Sequence, residues 1–294
     1  MYIPNDNSPA PKISIGLPVF NGEKTIGIAI SSLLEQTYSN FELIISNNAS
    51  TDTTAKICEY FLSIDQRIRY FEQVQNIGAV GNFNFVLQKA AATYFMWAAS
   101  DDTWEPNWIE LLLPESQKYK CLSTGKSQAI NFDGSLAEHI SSNYQLSFER
   151  KVHLNRRDYF ITPSFLGKAN SIYGIAPTQI FNEMVSNFNG RHGDMLFLYS
   201  LLSKYEIRLY EGTTRFVRLQ PDFSLDHGNE LRKFDFRYCV TYFPNMLRTV
   251  LKSVYFRDYW RISKKSERVM LLYLYPLAVV KAMNAIKKSR KESS

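Results

Sequence analysis

Cysteine is scarce in this chain. Its 294 residues hold three, Cys58, Cys121 and Cys239, far apart and with no CxxC pair. That spacing excludes a disulfide scaffold and a cysteine-built zinc site, and it suits a reducing, cytoplasmic compartment. A secretory leader is also missing. Residues 1–12 are polar, carry Pro4, Pro9 and Pro11, and have no apolar centre. No internal repeat or low-complexity run appears. The apolar run at residues 269–280 is 12 residues long, short of the roughly 20 that span a bilayer.

Basic charge is lacking from the body. The formal net charge is +6, yet residues 257–294 alone hold ten Lys/Arg against three Asp/Glu. The tail is therefore +7 and the preceding 256 residues are −1. A nucleic-acid partner would need a basic face on the fold itself, so none is expected. In the tail, Arg257, Arg261, Lys264, Lys265 and Arg268 precede the apolar run, and Lys281, Lys287, Lys288, Arg290 and Lys291 follow it. Two readings stand: an in-plane membrane anchor across residues 257–291, or a helix docked on the body with a solvated basic end.

What is present is an α/β pattern. Apolar residues make up 45% of the chain, enough for a real core. Strands are expected at 13–19, 41–46, 67–71 and 94–99. Helices are expected at 23–36, 54–62 and 82–92, with a loop at 76–81. Alternating strands and helices imply a mostly parallel sheet with right-handed crossovers. Beyond Pro106 a helix continues through 109–113 and a strand is expected at 127–132. Residues 135–170 look irregular, 194–203 helical and 207–219 extended.

The fourth strand runs into Ser100-Asp101-Asp102. Two carboxylates at a strand's C-terminal end make a hard, oxygen-rich site of the kind that holds Mg²⁺ or Mn²⁺ with a diphosphate. Open α/β sheets bind their ligands at that edge. Alone the pair is also an ordinary turn or helix cap. The first strand ends in Leu17-Pro18-Val19-Phe20-Asn21-Gly22-Glu23, and the second in Ile44-Ile45-Ser46-Asn47-Asn48-Ala49-Ser50-Thr51-Asp52.

In order and spacing these three segments resemble family 2 glycosyltransferases of the GT-A fold. The resemblance covers roughly residues 12–225 and is strongest up to Trp104. It implies a GT-A domain at 1–225, with a nucleotide-sugar half at 12–125, an acceptor half at 126–225 and a helical basic tail at 226–294. It implies an inverting, metal-dependent transferase. The donor would be a UDP- or dTDP-linked sugar, and the acceptor a glycan or lipid-linked hydroxyl.

By that resemblance Asp102 is the metal ligand, Asp101 holds the ribose or sugar, and Pro18 and Phe20 wall the base. Glu23 reaches the base or ribose, and Gly78 and Asn84 lie on the donor loop Asn76-Ile77-Gly78-Ala79-Val80-Gly81-Asn82-Phe83-Asn84. Asn47 stands where the family usually carries a base-reading Asp, and an amide donates where a carboxylate only accepts. Asp194 is the implied general base, about 90 residues after the acidic pair, with His192 as its rival. As a carboxylate at a helix start it also suits the helix dipole. Arg218 would pair with phosphate. Gln220 replaces a family histidine, for which His227 is a substitute. Two other functions remain open: a nucleotide-sugar-binding protein that has lost turnover, which Asn47 and Gln220 favour, and a sugar nucleotidyltransferase. For the latter Asn21-Gly22-Glu23-Lys24 is a poor phosphate loop.

Overall fold

The computed structural model describes residues 12–137, 146–150, 152–162, 169–188, 193–219 and 261. The tail and its apolar run, Gln220, His227, His139 and His192 lie outside these residues. No helix among the described residues is long and apolar enough to cross a membrane.

Five strands form the main sheet in the order β3-β2-β1-β4-β7. They are β1 (Ile13–Val19), β2 (Phe41–Asn47), β3 (Ile68–Glu72), β4 (Tyr94–Trp97) and β7 (Ala176–Pro177). β1, β2, β3 and β4 run parallel, with Ile15 level with Leu43 and Met96. β7 closes the edge antiparallel to β4. Every residue of β1 and β2 is buried. Such a continuous apolar run is expected of parallel strands covered on both faces.

Period-two alternation divides these strands between two cores. Leu43, Ile45, Met96 and Ala98 face one core. It also takes Ile26, Ile30 and Leu33 of α1 (Ile26–Leu34), Cys58 of α2 (Thr54–Ile64), and Trp108 and Leu112 of α4 (Trp108–Tyr119). Ile44, Phe95 and Trp97 face the other. They meet Val86 and Leu87 of α3 (Gly78–Gln88), Phe181 of α6 (Thr178–Met184) and Phe197 of α7 (Gly193–Leu201). Trp97 stacks on Phe188 and meets Phe181 and Phe197 edge-on, with ring centroids 4.9 to 5.3 Å apart. Contacts of this kind each add about 1 kcal/mol beyond area burial. At Gly16 a Cβ would sit 2.7 Å from Val86 and 2.8 Å from Phe95, so α3 packs onto β1 only because this residue is glycine.

A smaller sheet orders β5 (Thr103–Trp104), β8 (Ile207–Arg218) and β6 (Leu122–Ile130) side by side. β8 pairs antiparallel with β5 and parallel with β6. It thereby brings a distant stretch of chain against the residues that follow β4.

Several boundaries differ from the sequence reading. α3 begins at Gly78, so Asn82, expected as its cap, lies inside the helix and is buried. α4 runs on to Tyr119 through Pro114. Pro114 removes one backbone donor, but Leu112, Leu113 and Ser116 are buried around it and hold the helix. Helix α5 (Val152–Ile161) occupies the region expected to be irregular. Its buried face mixes Asn155 and Arg156 with Tyr159 and Phe160, so periodicity did not reveal it.

Candidate functional site

The strand order 3-2-1-4 reverses direction between β1 and β4. Such a switch point opens a crevice beyond the carboxyl ends of the strands. The loops after β1 and β4 meet there: a Cβ at Gly22 would lie 3.8 Å from Ser100 Oγ. A separate cavity of about 570 Å³ is lined by Leu62 to Arg67. It lies where α2 passes into β3, at the opposite edge of the sheet, and no acidic-turn residue lines it.

The ends of β1 and β2 are stitched together. The backbone N–H of Asn21 donates to Ser50 Oγ, and that of Thr51 donates to Asn21 Oδ1. Both Asn21 and Ala49 hold positive φ. Glu23 and the start of α2 exchange hydrogen bonds: Glu23 N–H donates to Asp52, and Thr53 N–H and hydroxyl donate to Glu23 Oε2. Burial pushes the Asp52 carboxyl up slightly, but hydrogen bonds from Thr54 and Glu23 outweigh it and hold the pKa low. Glu23 therefore caps a helix in this structure; the sequence assigned it to a base or ribose.

Asn47 is fully buried. Its Nδ2 donates to the Tyr70 hydroxyl at 3.0 Å, and its Oδ1 accepts from Ser50 N–H at 3.0 Å. Its donor and its acceptor are thus both engaged at the end of β2. Asn48 and Asn76, not singled out from sequence, fasten the next loop. Asn48 Nδ2 donates to Asn76 Oδ1, which also accepts from Gly78 N–H, and Asn48 Oδ1 accepts from Ile77 N–H. Asn82 donates to the backbone oxygens of Ser46 and Val19, closing β1 against β2 from below.

What faces outward here is different. Phe20 is 48% exposed, while Pro18 beneath it is buried in β1. Gly78 opens α3 at φ +76° with empty space where a side chain would be. Asn84 Oδ1 is buried without a hydrogen-bond partner among the described residues. A native fold pays such a cost, about 1–3 kcal/mol, where a ligand or water supplies the missing donor.

The acidic pair is split. Asp102 is 3% exposed, and both its oxygens are engaged. Arg215 Nη1 donates to Oδ2 at 3.0 Å, and the Arg218 backbone N–H donates to Oδ1 at 3.1 Å. Burial lifts this carboxyl to about 6, against the pull of the Arg215 guanidinium. Each oxygen keeps a further lone pair, but at 3% exposure Asp102 is the less accessible acid of the two. Asp101 beside it is half-buried. Among the described residues no three His, Cys, Asp or Glu gather closely enough to form a metal cage. A divalent ion that arrives on a diphosphate needs only one or two carboxylates from the protein, and the acidic turn offers a pair.

Arg218 is also turned inward. Its Nε donates to the Asp101 carbonyl at 3.2 Å and its Nη1 to the Phe132 carbonyl at 2.7 Å. It braces the backbone of the acidic turn, where the sequence expected a phosphate partner. Asp194 stands in the first turn of α7 and accepts from the Met195 N–H. The 3₁₀ turn Asn170–Tyr173 brings a tyrosine to this turn. The Tyr173 ring lies 4.2 Å from the Arg215 guanidinium. Burial raises the Tyr173 phenol above its ordinary range, and the charges of Asp102, Asp101 and Asp194 push it further. All three carboxylates thus lie within electrostatic reach of one hydroxyl.

A family model described as "Glycosyl transferase family 2" matches residues 14–181, which carry β1 through β7 and both loops of the crevice. The chain belongs to glycosyl transferase family 2. Among curated relatives, glycosyltransferase GlyA of Streptococcus pneumoniae serotype 4 is 32% identical over 146 residues, 49% of this chain and 20% of that protein. The Escherichia coli UDP-Glc:alpha-D-GlcNAc-diphosphoundecaprenol beta-1,3-glucosyltransferase WfgD is 37% identical over 100 residues, 34% of this chain and 38% of that protein. The chain thus spans between a fifth and two fifths of these relatives. Among solved structures, S. aureus TarS 1-349 superposes with a TM-score of 0.57 at 16% identity, over 96% of this chain and 92% of that one. The same TarS fragment has been crystallised with UDP-GlcNAc. At that identity the likeness establishes a shared GT-A fold.

Proposed function

We propose that this chain is an inverting glycosyltransferase that moves a sugar from a UDP- or dTDP-linked donor to a hydroxyl of a glycan or lipid-linked acceptor. The observation that carries this reading is the crevice between β1 and β4. Asp101 lies in the acidic turn at its edge, and Asp194 lies in the first turn of α7, within electrostatic reach of the same Tyr173 hydroxyl as Asp101. A single displacement needs one base, and Asp194 takes the proton from the acceptor hydroxyl as that oxygen bonds to the anomeric carbon. The bond from that carbon to the diphosphate oxygen breaks on the opposite face, which inverts the centre.

Phe20 offers its exposed face to the nucleobase, and Gly78 admits close approach of backbone to donor. Asn84 supplies an acceptor for a donor hydroxyl. Asp101 is the residue that would hold a divalent ion on the diphosphate. When bound, Mn²⁺ or Mg²⁺ neutralises charge growing on the leaving group. Asp102 and Arg218 hold the turn that carries Asp101.

The lipid-linked acceptor is supported by the diphosphoundecaprenol acceptor in the name of WfgD and by the basic tail, which suits an anionic membrane surface on the cytoplasmic side. Asn47, an amide where the family usually carries an Asp, favours a second reading, a donor-binding protein of reduced turnover. Hydrolysis and transfer with UDP- and dTDP-sugars, with and without Mn²⁺, separate the two. Metal-stimulated release of nucleoside diphosphate supports the transferase. Nucleotide binding without turnover supports the binding protein.

A further inference from the structure

Three groups in this crevice form a chain that the transfer chemistry above does not use: Asp102, Arg215 and Tyr173. Arg215 lies at the end of β8 and its side chain is 1% exposed. Nη1 is held by Asp102, whereas Nε and Nη2 have no hydrogen-bond partner among the described residues. Its remaining support is the Tyr173 ring against the guanidinium plane. A cation–aromatic contact away from water is worth more than one at the surface, so ring and guanidinium orient one another.

The 3₁₀ turn that carries Tyr173 sits immediately before β7, the strand paired with β4. It is thereby tied to the strand that ends at the acidic turn. The Tyr173 hydroxyl makes no hydrogen bond to a described residue, and it is not sealed off among the orphaned buried atoms. Tyr173 is half-buried, and its hydroxyl is a donor and acceptor carried on a ring that Arg215 orients. The carboxylates around it accept hydrogen bonds only, whereas a sugar hydroxyl can both donate to and accept from a phenol.

We infer that Tyr173 is a substrate-contacting residue of the transfer site, its phenol hydroxyl hydrogen-bonding a sugar hydroxyl held between Asp101 and Asp194, with Arg215 fixing the ring. This rests on the transferase reading above. The sugar belongs either to the donor or to the acceptor, and the chemistry of the contact is the same for both.

The test compares Tyr173→Phe, which keeps the ring on Arg215 and deletes only the hydroxyl, with Tyr173→Leu, which removes both. The readouts are thermal unfolding, UDP affinity, hydrolysis of UDP-glucose and UDP-N-acetylglucosamine, and transfer from them to p-nitrophenyl glycosides. Tyr173→Phe is expected to unfold with the unsubstituted chain and to bind UDP equally well. It is expected to lose about tenfold in kcat/KM, the size expected for one substrate hydrogen bond. Loss in both hydrolysis and transfer places the contact on the donor sugar. Loss in transfer alone, with a raised acceptor KM, places it on the acceptor. Tyr173→Leu is expected to lower the unfolding temperature as well. Unchanged hydrolysis and transfer in Tyr173→Phe, with the unsubstituted chain active, would overturn the inference and leave the transferase reading intact. No turnover by the unsubstituted chain would overturn the transferase reading itself, and this inference with it.

Discussion

Arg215 donates to Asp102 at 3.0 Å across 113 residues of sequence, and the two side chains are 1% and 5% exposed. The pair joins the turn after β4 to the end of β8. It decides which of two adjacent carboxylates faces the crevice. It also gives the candidate site its rigid floor.

Breaking that pair from one side leaves a buried charge alone. Arg215→Met is expected to destabilise the chain by about 3–5 kcal/mol. Adding Asp102→Asn to it should recover part of the loss, because an uncharged amide no longer needs a counter-charge. Chemical denaturation of the two single variants and the double variant measures the coupling. Additive losses would mean that the two residues do not act as a pair.

The same carboxyl gives a pH dependence of unusual sign. Burial holds Asp102 at about 6, above its ordinary 3.8. The folded chain therefore binds this proton more tightly than the unfolded chain does. The associated stability is complete below about 4 and is lost as pH rises through 6. Thermal unfolding of the unsubstituted chain and Asp102→Asn between pH 5 and 8 should show the unsubstituted chain losing stability relative to the variant as pH rises. A difference that stays constant over this range would mean that Arg215 favours the carboxylate more than burial penalises it.

Asp101→Asn is expected to leave the unfolding temperature within about 0.5 kcal/mol-equivalent of the unsubstituted chain, as for most half-exposed substitutions. It should abolish the Mn²⁺-dependent part of UDP binding. Calorimetric titration of UDP with and without Mn²⁺ reads this directly. Retained metal dependence in Asp101→Asn would return the ion to some other ligand.

Asp194→Asn is expected to bind UDP normally and to lose transfer by about 10²–10⁴-fold, the usual contribution of a positioned base. Transfer at the full rate by this variant would move the base elsewhere on the chain.

Phe20→Ala is expected to weaken UDP binding about tenfold, since an exposed ring stacked on a base contributes roughly 0.5–1.5 kcal/mol. Folding should be little affected, because the ring is about half exposed. Equal UDP affinity would remove Phe20 from the base wall.

Much of this architecture was legible in the residues. The apolar strands at Ile13–Val19 and Phe41–Asn47, the helices between them and the acidic turn after β4 follow from local periodicity and turn chemistry. So does the extended stretch that became β8. Family-specific spacing was legible for the same reason: it is a one-dimensional property. Helix α5 was hidden because Asn155 and Arg156 occupy interior positions normally filled by apolar side chains.

The sequence by itself determined the strand and helix order, the segments that border the crevice and the family. Only the tertiary structure decided which side chains enter that crevice. Asp101 and Asp102 are neighbours with identical chemistry, and nothing local distinguishes them. β8 distinguishes them, because its pairing with β5 carries Arg215 to the inward one. Asn47, Glu23 and Arg218 carry suitable groups at suitable positions, yet each finds a partner inside the fold. A buried donor or acceptor must be satisfied wherever the chain happens to pass, and sequence spacing does not record what passes beside it.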